Sequence, residues 1–122
     1  DLGQVLESLN KRIELLVDKD HQIGHSYFLS VESIKELKSA FQNKIIPLLQ
    51  EYFFGDYGKI GLVLGSGFVS VKEKENNIFA DFNNLYDTSD LADREIYRIE
   101  NPVKMDDGKF REAIKNLLNI KD

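Results

Sequence analysis

The sequence predicts an α+β fold in which a bundle of three to four helices, residues 1–65, precedes a small antiparallel sheet and a C-terminal helix, residues 66–122. Apolar residues recur every three or four positions through most of the first part, which is the period of an amphipathic helix. From Phe68 onward they alternate in steps of two, which is typical of half-buried strands. The helical period returns after Asp107, and this order of periods indicates the α+β class.

The chain has 122 residues, no Cys and a formal net charge of −5. Without Cys it cannot form disulfides, thiolate zinc sites or cysteine nucleophiles, and this composition fits a reducing compartment. A negative net charge gives no general attraction to nucleic acid or anionic lipid. No apolar run approaches the roughly 20 residues that cross a bilayer, and no signal peptide is visible. We therefore expect a cytoplasmic location, no membrane contact and no direct binding of nucleic acid.

The first helix is predicted to begin after Asp1, an N-cap candidate, and to end near Asp18, where a charged stretch breaks the apolar pattern. Glu7 and Lys11 form a favourable i,i+4 pair on its polar face. Its apolar positions are Val5, Leu6, Leu9, Ile13 and Leu16. A loop rich in His and aromatic residues, His21–Phe28, follows this helix.

The next helical region carries an apolar stripe in steps of three and four residues, and Ser30 is its predicted N-cap. Pro47 interrupts the stripe, and a proline in a helix interior breaks the hydrogen-bond ladder. We therefore predict two helices, 31–42 and 44–54. Because the stripe stays in phase across the joint, a single kinked helix is the alternative. A short helix that stops at Gly65 follows. The stripe comprises Ile34, Leu37, Phe41, Ile45, Leu48 and Tyr52.

The second part of the chain contains three predicted strands. The strands 68–72 and 78–82 are predicted to form a hairpin around the polar turn 74–77, and a third strand lies at 94–99. The last helix is predicted to start at a cap formed by Asp106 or Asp107 and to carry the apolar residues Phe110, Ile114, Leu117 and Leu118.

Motifs for catalysis are missing from the sequence. No G-x-x-x-x-G-K-[ST] phosphate loop is present, because the glycines from Gly61 to Gly67 precede no Lys-Ser or Lys-Thr pair. There is no G-x-S-x-G or H-E-x-x-H motif. His21 and His25 have the i,i+4 spacing of helical metal ligands, but Gly24 between them indicates a loop. We therefore predict no catalytic residue and no metal site, and we expect that this chain alone is no enzyme.

Three side chains are candidates for binding from their positions alone. His25 and Ser26 lie in the loop His21–Phe28, where two interpretations stay open: they satisfy helix ends beside a plugged core, or they face a ligand or partner domain. Lys44, at the predicted start of a helix, would meet an anion together with free backbone N–H groups. An ordinary exposed lysine is the alternative at that position.

Two strings in the helical part are characteristic of one protein family. Residues 23–28, Ile-Gly-His-Ser-Tyr-Phe, and residues 47–53, Pro-Leu-Leu-Gln-Glu-Tyr-Phe, together with Leu9–Glu14, resemble the end of the AAA+ module in McrB-type proteins. These proteins are the nucleotide-hydrolysing motor subunits of modification-dependent restriction systems. The similar region covers residues 5–56, whereas residues 66–122 resemble the variable C-terminal extension of such proteins only loosely.

The resemblance implies that residues 1–65 form a small α-helical lid behind a larger α/β nucleotide-binding domain of the same chain. The phosphate loop, magnesium-binding acid and arginine finger of AAA+ proteins precede the lid, so we expect a C-terminal fragment with no activity and no cofactor of its own. In the parent protein the lid would close on GTP or ATP bound with Mg²⁺ and contact neighbouring subunits of a ring, expected to be a hexamer. A nuclease subunit would be a further partner.

The same resemblance implies roles for individual residues. Arg12, His25 and Ser26 become candidates for contact with the nucleotide or with a neighbouring subunit. Lys44 is the nearest match to the basic second-sensor residue of AAA+ lids, although the sequence has no arginine there. The other assigned motif positions are structural: Gly24 and Pro47 would shape the backbone, and Ile13, Phe28, Leu48, Leu49 and Tyr52 would pack.

A different interpretation is a winged-helix module that binds DNA or protein, because three helices followed by a hairpin also describe that fold. Acidity argues against it. The recognition helix would carry Lys44 against Glu51, and the wing turn, residues 72–75, would read Lys-Glu-Lys-Glu. A free-standing enzyme that uses surface carboxylates is a third interpretation, which no constellation of residues supports.

Overall fold

Helix α1 spans Leu2–Leu16 and confirms the first predicted helix. The structure is a computed structural model and describes residues 1–73, 78–92 and 94–120. The Asp1 side chain accepts a hydrogen bond of 2.9 Å from the Gly3 backbone N–H and so caps α1 as predicted. Four of the five predicted apolar positions are buried, and Leu16 packs half-buried against the same core.

A continuous helical stretch replaces the two helices predicted at 31–42 and 44–54. Helix α2 (Ile34–Ala40) runs into a π-helical turn (Phe41–Ile45) and then into helix α3 (Ile46–Tyr52) without a break. The alternative of a single helix is therefore confirmed. A proline ring clashes with the carbonyl four residues earlier in a regular helix, and the wider π-helical turn just before Pro47 relieves that clash.

Ser33 is the N-cap of α2, so the prediction of Ser30 is wrong. The Ser33 Oγ accepts a hydrogen bond of 3.2 Å from the Glu36 backbone N–H and donates one of 3.3 Å to Glu36 Oε1. Ser-x-x-Glu is the spacing of a capping box, and this local signal distinguishes Ser33 from the other serine.

Helix α4 (Tyr57–Leu64) begins at a cap formed by Asp56, and it ends at Gly65 as the sequence predicts. Gly65 has a φ of 89°, a conformation that side chains rarely adopt, and a Cβ there would collide with the side chain of Asn116. The glycine therefore serves two purposes, because it ends α4 and lets the C-terminal helix approach closely.

The described sheet has two strands, and its pairing differs from the predicted hairpin. Strand β1 (Val69–Lys72) pairs antiparallel with β2 (Ile96–Ile99), the predicted third strand, with Val69 opposite Ile99. Residues 78–82 form no strand, so that prediction is wrong, and the predicted turn at 74–77 lies outside the described residues. All of residues 78–82 are exposed, whereas Tyr97 and Ile99 of β2 pack against the core. Burial of one face gives β2 the packing that the nearer segment lacks.

Helix α5 (Ser89–Ala92) is a short element between the strands, and helix α6 (Asp107–Leu117) closes the described chain. Of the two predicted caps, Asp106 is the one used, since its carboxylate accepts a hydrogen bond of 2.7 Å from the Lys109 backbone N–H. The buried side chains of α6 are Phe110, Ala113 and Leu117.

One hydrophobic cluster includes residues from both predicted parts of the chain. The rings of Phe41 and Phe68 stack with centroids 5.1 Å apart, and Phe110 meets each of them edge-on at 6.0 Å. Offset and edge-on contacts are the favourable arrangements of aromatic rings. The α+β class is confirmed, while the division into parts 1–65 and 66–122 stays a prediction.

The winged-helix interpretation receives no support from this arrangement. Its recognition helix, 44–54, is the second half of a longer helix and buries Ile46 and Leu49 in the core. The predicted wing is not formed either, because residues 78–82, which would be its second strand, form no strand. As to membranes, no helix within the described ranges is both long and apolar enough to cross one.

Candidate functional site

The loop after α1 is fastened to the helix by the amide of Asn10. Asn10 Nδ2 donates to the Ile23 carbonyl at 2.9 Å, and Asn10 Oδ1 accepts from the Ile23 N–H at 2.5 Å. Ile23 itself is only 2% exposed. This pair of hydrogen bonds and the buried side chain fix the backbone immediately before Gly24, His25 and Ser26.

A second anchor comes from the 3₁₀ turn Lys19–His21. Asp18 caps this turn, and its Oδ1 lies 2.6 Å from His21 Nδ1. That hydrogen bond holds the pKa of the Asp18 carboxyl below its ordinary value. The His21 ring meets the Tyr52 ring edge-on with centroids 4.9 Å apart, and burial raises the pKa of the Tyr52 hydroxyl. His21 therefore connects the loop to the end of α3.

The 3₁₀ turn His25–Tyr27 presents two of the predicted site residues to solvent. His25 and Ser26 are exposed, whereas Tyr27 is half-buried and Phe28 is buried. The centroids of the Phe28 and Phe41 rings lie 6.4 Å apart. Neither exposed side chain forms a hydrogen bond to any described residue, so neither satisfies a helix end. Of the two open interpretations, the exposure favours contact with a ligand or partner, and that role stays a prediction.

Arg12, a candidate through the family resemblance, points its guanidinium at the ends of two helices. Nη1 donates to the Val63 carbonyl at 2.7 Å, and Nη2 donates to the Leu117 carbonyl at 2.5 Å. A cation near helix C-termini satisfies free carbonyls and opposes the negative end of the helix dipole. Burial lowers the pKa of Arg12 from its ordinary value, and arginine nonetheless stays charged at neutral pH. The contacts of Arg12 thus serve the fold, and they do not join it to His25 and Ser26.

Lys44 is exposed on the π-helical turn Phe41–Ile45. The premise that it opens a helix is wrong, because α2 continues through it into α3. Its backbone N–H is therefore not one of the free donors of a helix start. The role of a second sensor stays a prediction that now depends on the ammonium group alone.

Residues 1–61, half of the chain, match the family model described as "McrB, alpha-helical lid domain". The chain belongs to this McrB lid family. The match includes both strings on which the resemblance was inferred, residues 23–28 and 47–53, and confirms it. No curated protein matches the chain.

Within the McrB lid, the string at residues 23–28 combines buried residues at its two ends with residues between them that reach the surface. Ile23 and Phe28 are buried anchors, and the residues between them reach the surface. Gly24 has φ −80° and ψ 161°, which any residue adopts, and a Cβ there would lie 3.7 Å from Ser26 Oγ, an ordinary contact. The lid fold itself therefore does not require a glycine at this position, contrary to the backbone role predicted for Gly24.

Sequence reasoning missed a buried lysine that also ties the McrB lid to the C-terminal helix. Lys38 is 9% exposed, and its Nζ donates to the Met105 carbonyl at 2.7 Å and to Asp107 Oδ1 at 2.8 Å. The hydrogen bond from Lys38 holds the pKa of the Asp107 carboxyl below its ordinary value. The helical period contained a signal for the burial of Lys38, though not for its partners, because position 38 lies four residues after Ile34 and three before Phe41, at the edge of the apolar stripe.

The described residues of the chain contain no cluster of side chains that could bind a metal ion. Across residues 1–73, 78–92 and 94–120, no group of three or more His, Asp or Glu side chains is placed to hold an ion. His21 and His25 lie in two different 3₁₀ turns, so they do not share a helix face.

Proposed function

We propose that this chain is the lid of a McrB-like AAA+ nucleoside-triphosphatase. It closes on GTP or ATP that an adjoining α/β domain of the same chain binds with Mg²⁺, and it contacts neighbouring subunits of a ring, which we take to be a hexamer. The observation that carries this proposal is the match to the McrB lid family over residues 1–61. The sequence also lacks a phosphate loop, so a neighbouring domain has to supply the nucleotide pocket.

His25 and Ser26 are the proposed contact residues for the nucleotide or for the adjacent subunit. Their support is structural: Asn10, Ile23 and Phe28 fix the backbone on both sides, and the two side chains stay exposed and unbonded among the described residues. A site held in this way needs little reordering when a partner approaches. Lys44, exposed on the π-helical turn that precedes α3, is the proposed second-sensor cation, which would contact a phosphate group of the nucleotide.

The wider system is part of the same proposal. A McrB-like motor would act in modification-dependent DNA restriction together with a nuclease subunit, in the cytoplasm. The chain itself contributes no catalytic residue under this proposal, and lid movement converts the nucleotide state into rotation of neighbouring domains.

Nucleotide titration of the isolated chain tests the first step. GTP or ATP with Mg²⁺, added to the purified 122-residue chain in a calorimeter, should give no measurable binding and no phosphate release. Tight binding or turnover by this chain alone would contradict the proposal that its pocket lies in another domain.

The second step is tested in the parent protein with His25→Ala. A charge-assisted hydrogen bond is worth about 1.5–3 kcal/mol, so its loss should lower hydrolysis about tenfold or more, or weaken ring assembly. Lys19→Ala, at an exposed position of the neighbouring 3₁₀ turn, is the matched control and should leave both unchanged. Normal hydrolysis and assembly in the His25 variant would exclude His25 as a contact residue.

A further inference from the structure

Residues 78–89, between β1 and β2, expose an unusual concentration of apolar side chains. All of these residues are exposed, and the five large apolar ones are between 59% and 71% exposed: Ile78, Phe79, Phe82, Leu85 and Tyr86. Soluble proteins rarely leave several large apolar side chains together in water unless they bind a partner there. We call residues 78–89 the acidic-aromatic segment.

Local hydrogen bonds give the acidic-aromatic segment a defined shape. Asp81 Oδ1 accepts from the Asn83 N–H at 2.9 Å, and the Leu85 N–H donates to the Phe82 carbonyl at 3.2 Å. Asn83 and Asn84 between them both have a φ of 58°, as the two central residues of a type I′ turn do. Phe82 and Leu85 therefore stand on either side of a tight turn and are displayed rather than buried.

The strands that precede and follow the acidic-aromatic segment are packed on the helical part of the chain. Lys72 at the end of β1 lies opposite Ile96 at the start of β2, and α4 contacts both strands. Val69 and Ile99, at the other end of the pair, pack in or against the core. The segment thus lies in the chain between two strands that the fold already orders and packs on the helical part.

Charge decides which kind of partner fits. The acidic-aromatic segment contains Asp81 and Asp87 and no Lys or Arg. Hydrogen bonds from Ser89 to the Asp87 carboxylate lower the pKa of Asp87, which is therefore ionised at neutral pH. Negative charge repels nucleic acid, anionic lipid and an identical segment of a second copy, and it attracts a basic surface.

We propose that residues 78–89 bind a protein partner that has an apolar cleft bordered by Lys or Arg side chains. Phe82, Leu85 and Tyr86 enter the cleft, and Asp81 and Asp87 face its basic rim. Aromatic side chains that fill a pocket carry most of the affinity of such interfaces, whereas rim charges set the association rate and its salt dependence. This proposal does not depend on the nucleotide-lid role of residues 1–61.

Site-specific photo-cross-linking in cells that naturally produce the full chain tests the proposal. p-Benzoylphenylalanine in place of Phe82 should cross-link to one protein, whose cross-linked peptide carries apolar residues beside Lys or Arg. That protein is then purified and its affinity for the chain is measured. Leu85→Ser with Tyr86→Ser should weaken binding more than about tenfold. Leu15→Ser, which removes an 88% exposed leucine from α1, is the control and should not change it.

The charge component has a separate test. Asparagine forms the same turns as aspartate, so Asp81→Asn with Asp87→Asn removes two charges and keeps the local hydrogen bonds. These variants should slow association several-fold at low salt and lose that difference at high salt. The proposal is overturned if Phe82 cross-links to nothing, to lipid, to nucleic acid or to a second copy. It is also overturned if the cross-linked surface is acidic, or if neither the serine variants nor the asparagine variants change the affinity or the association rate.

Discussion

Arg12 Nη2 donates a hydrogen bond of 2.5 Å to the backbone carbonyl of Leu117, the last residue of α6. The two residues are separated by 105 positions in the chain, and only Arg12 lies in the part that matches the McrB lid family. Nη1 of the same guanidinium holds the Val63 carbonyl near the end of α4. One cation therefore closes the ends of two helices and joins the lid to the C-terminal half.

Removal of this cation should weaken the docking of α6. In Arg12→Met the apolar stem stays and both carbonyls lose their donor, so we expect the free energy of unfolding to fall by about 2 kcal/mol. Chemical denaturation measures this loss, and amide exchange should quicken in α6. Lys11→Met is the matched control, because the exposed Lys11–Glu7 pair of 3.0 Å should contribute less than about 0.5 kcal/mol. Equal stability of the two variants would show that Arg12 does not carry this connection.

Asn10, which fixes the loop backbone before His25 and Ser26, should contribute to the stability of the fold. Asn10→Ala leaves the N–H and carbonyl of Ile23 without partners in a part-buried place, and we expect a loss of about 1–3 kcal/mol in unfolding free energy. The Ile23 amide should also exchange faster in the variant. Gln22→Ala, at an exposed position with a long contact of 3.4 Å, is the control and should change neither quantity. A slow Ile23 amide in Asn10→Ala would contradict the proposed anchoring.

The contrast between α1 and the sheet shows what the sequence can predict. Helical elements are determined by contacts within a few residues, so the period of α1, the Asp1 cap and the Gly65 stop were all predictable. The partner of β1 is not local. Residues 78–82 alternate as a strand does, yet they stay exposed, and β2 pairs instead because Tyr97 and Ile99 also pack against the core.

The candidate site divides in the same way. The sequence predicted the loop that holds His25 and Ser26 but left open whether their side chains satisfy helix ends or reach solvent, and the structure shows both exposed. The contacts of Arg12 and Lys38 could not be predicted, because their acceptors lie 51 to 105 residues away and are mostly backbone carbonyls. A carbonyl has no sequence signature, so such a connection becomes visible only in the folded chain.

Acid should weaken the fold through Asp107. Lys38 lowers the pKa of Asp107 in the folded chain, so this carboxylate stabilises the fold above its unfolded pKa of about 3.9. The contribution is lost as the pH falls through the lower folded pKa. In Asp107→Asn the loss of stability between about pH 5 and pH 2 should be shallower than in the unchanged chain. Asp18→Asn should act likewise, since His21 lowers the pKa of Asp18. A carboxyl titration by NMR that places Asp107 at or above its ordinary pKa would contradict the Lys38 contact.

Two glycines provide a matched pair that separates folding from contact. Gly65→Ala forces a side chain into φ 89° and against Asn116, so the free energy of unfolding should fall by about 1–3 kcal/mol. Gly24→Ala meets neither obstacle, because its φ is −80° and its new Cβ has only an ordinary contact with Ser26, so stability should change by less than about 0.5 kcal/mol. Denaturant unfolding of both variants measures the difference. If Gly24→Ala nonetheless lowers hydrolysis in the parent protein while its stability is unchanged, the surface beside His25 lies against another domain or subunit. Full activity of that variant would place the contact surface elsewhere on the lid.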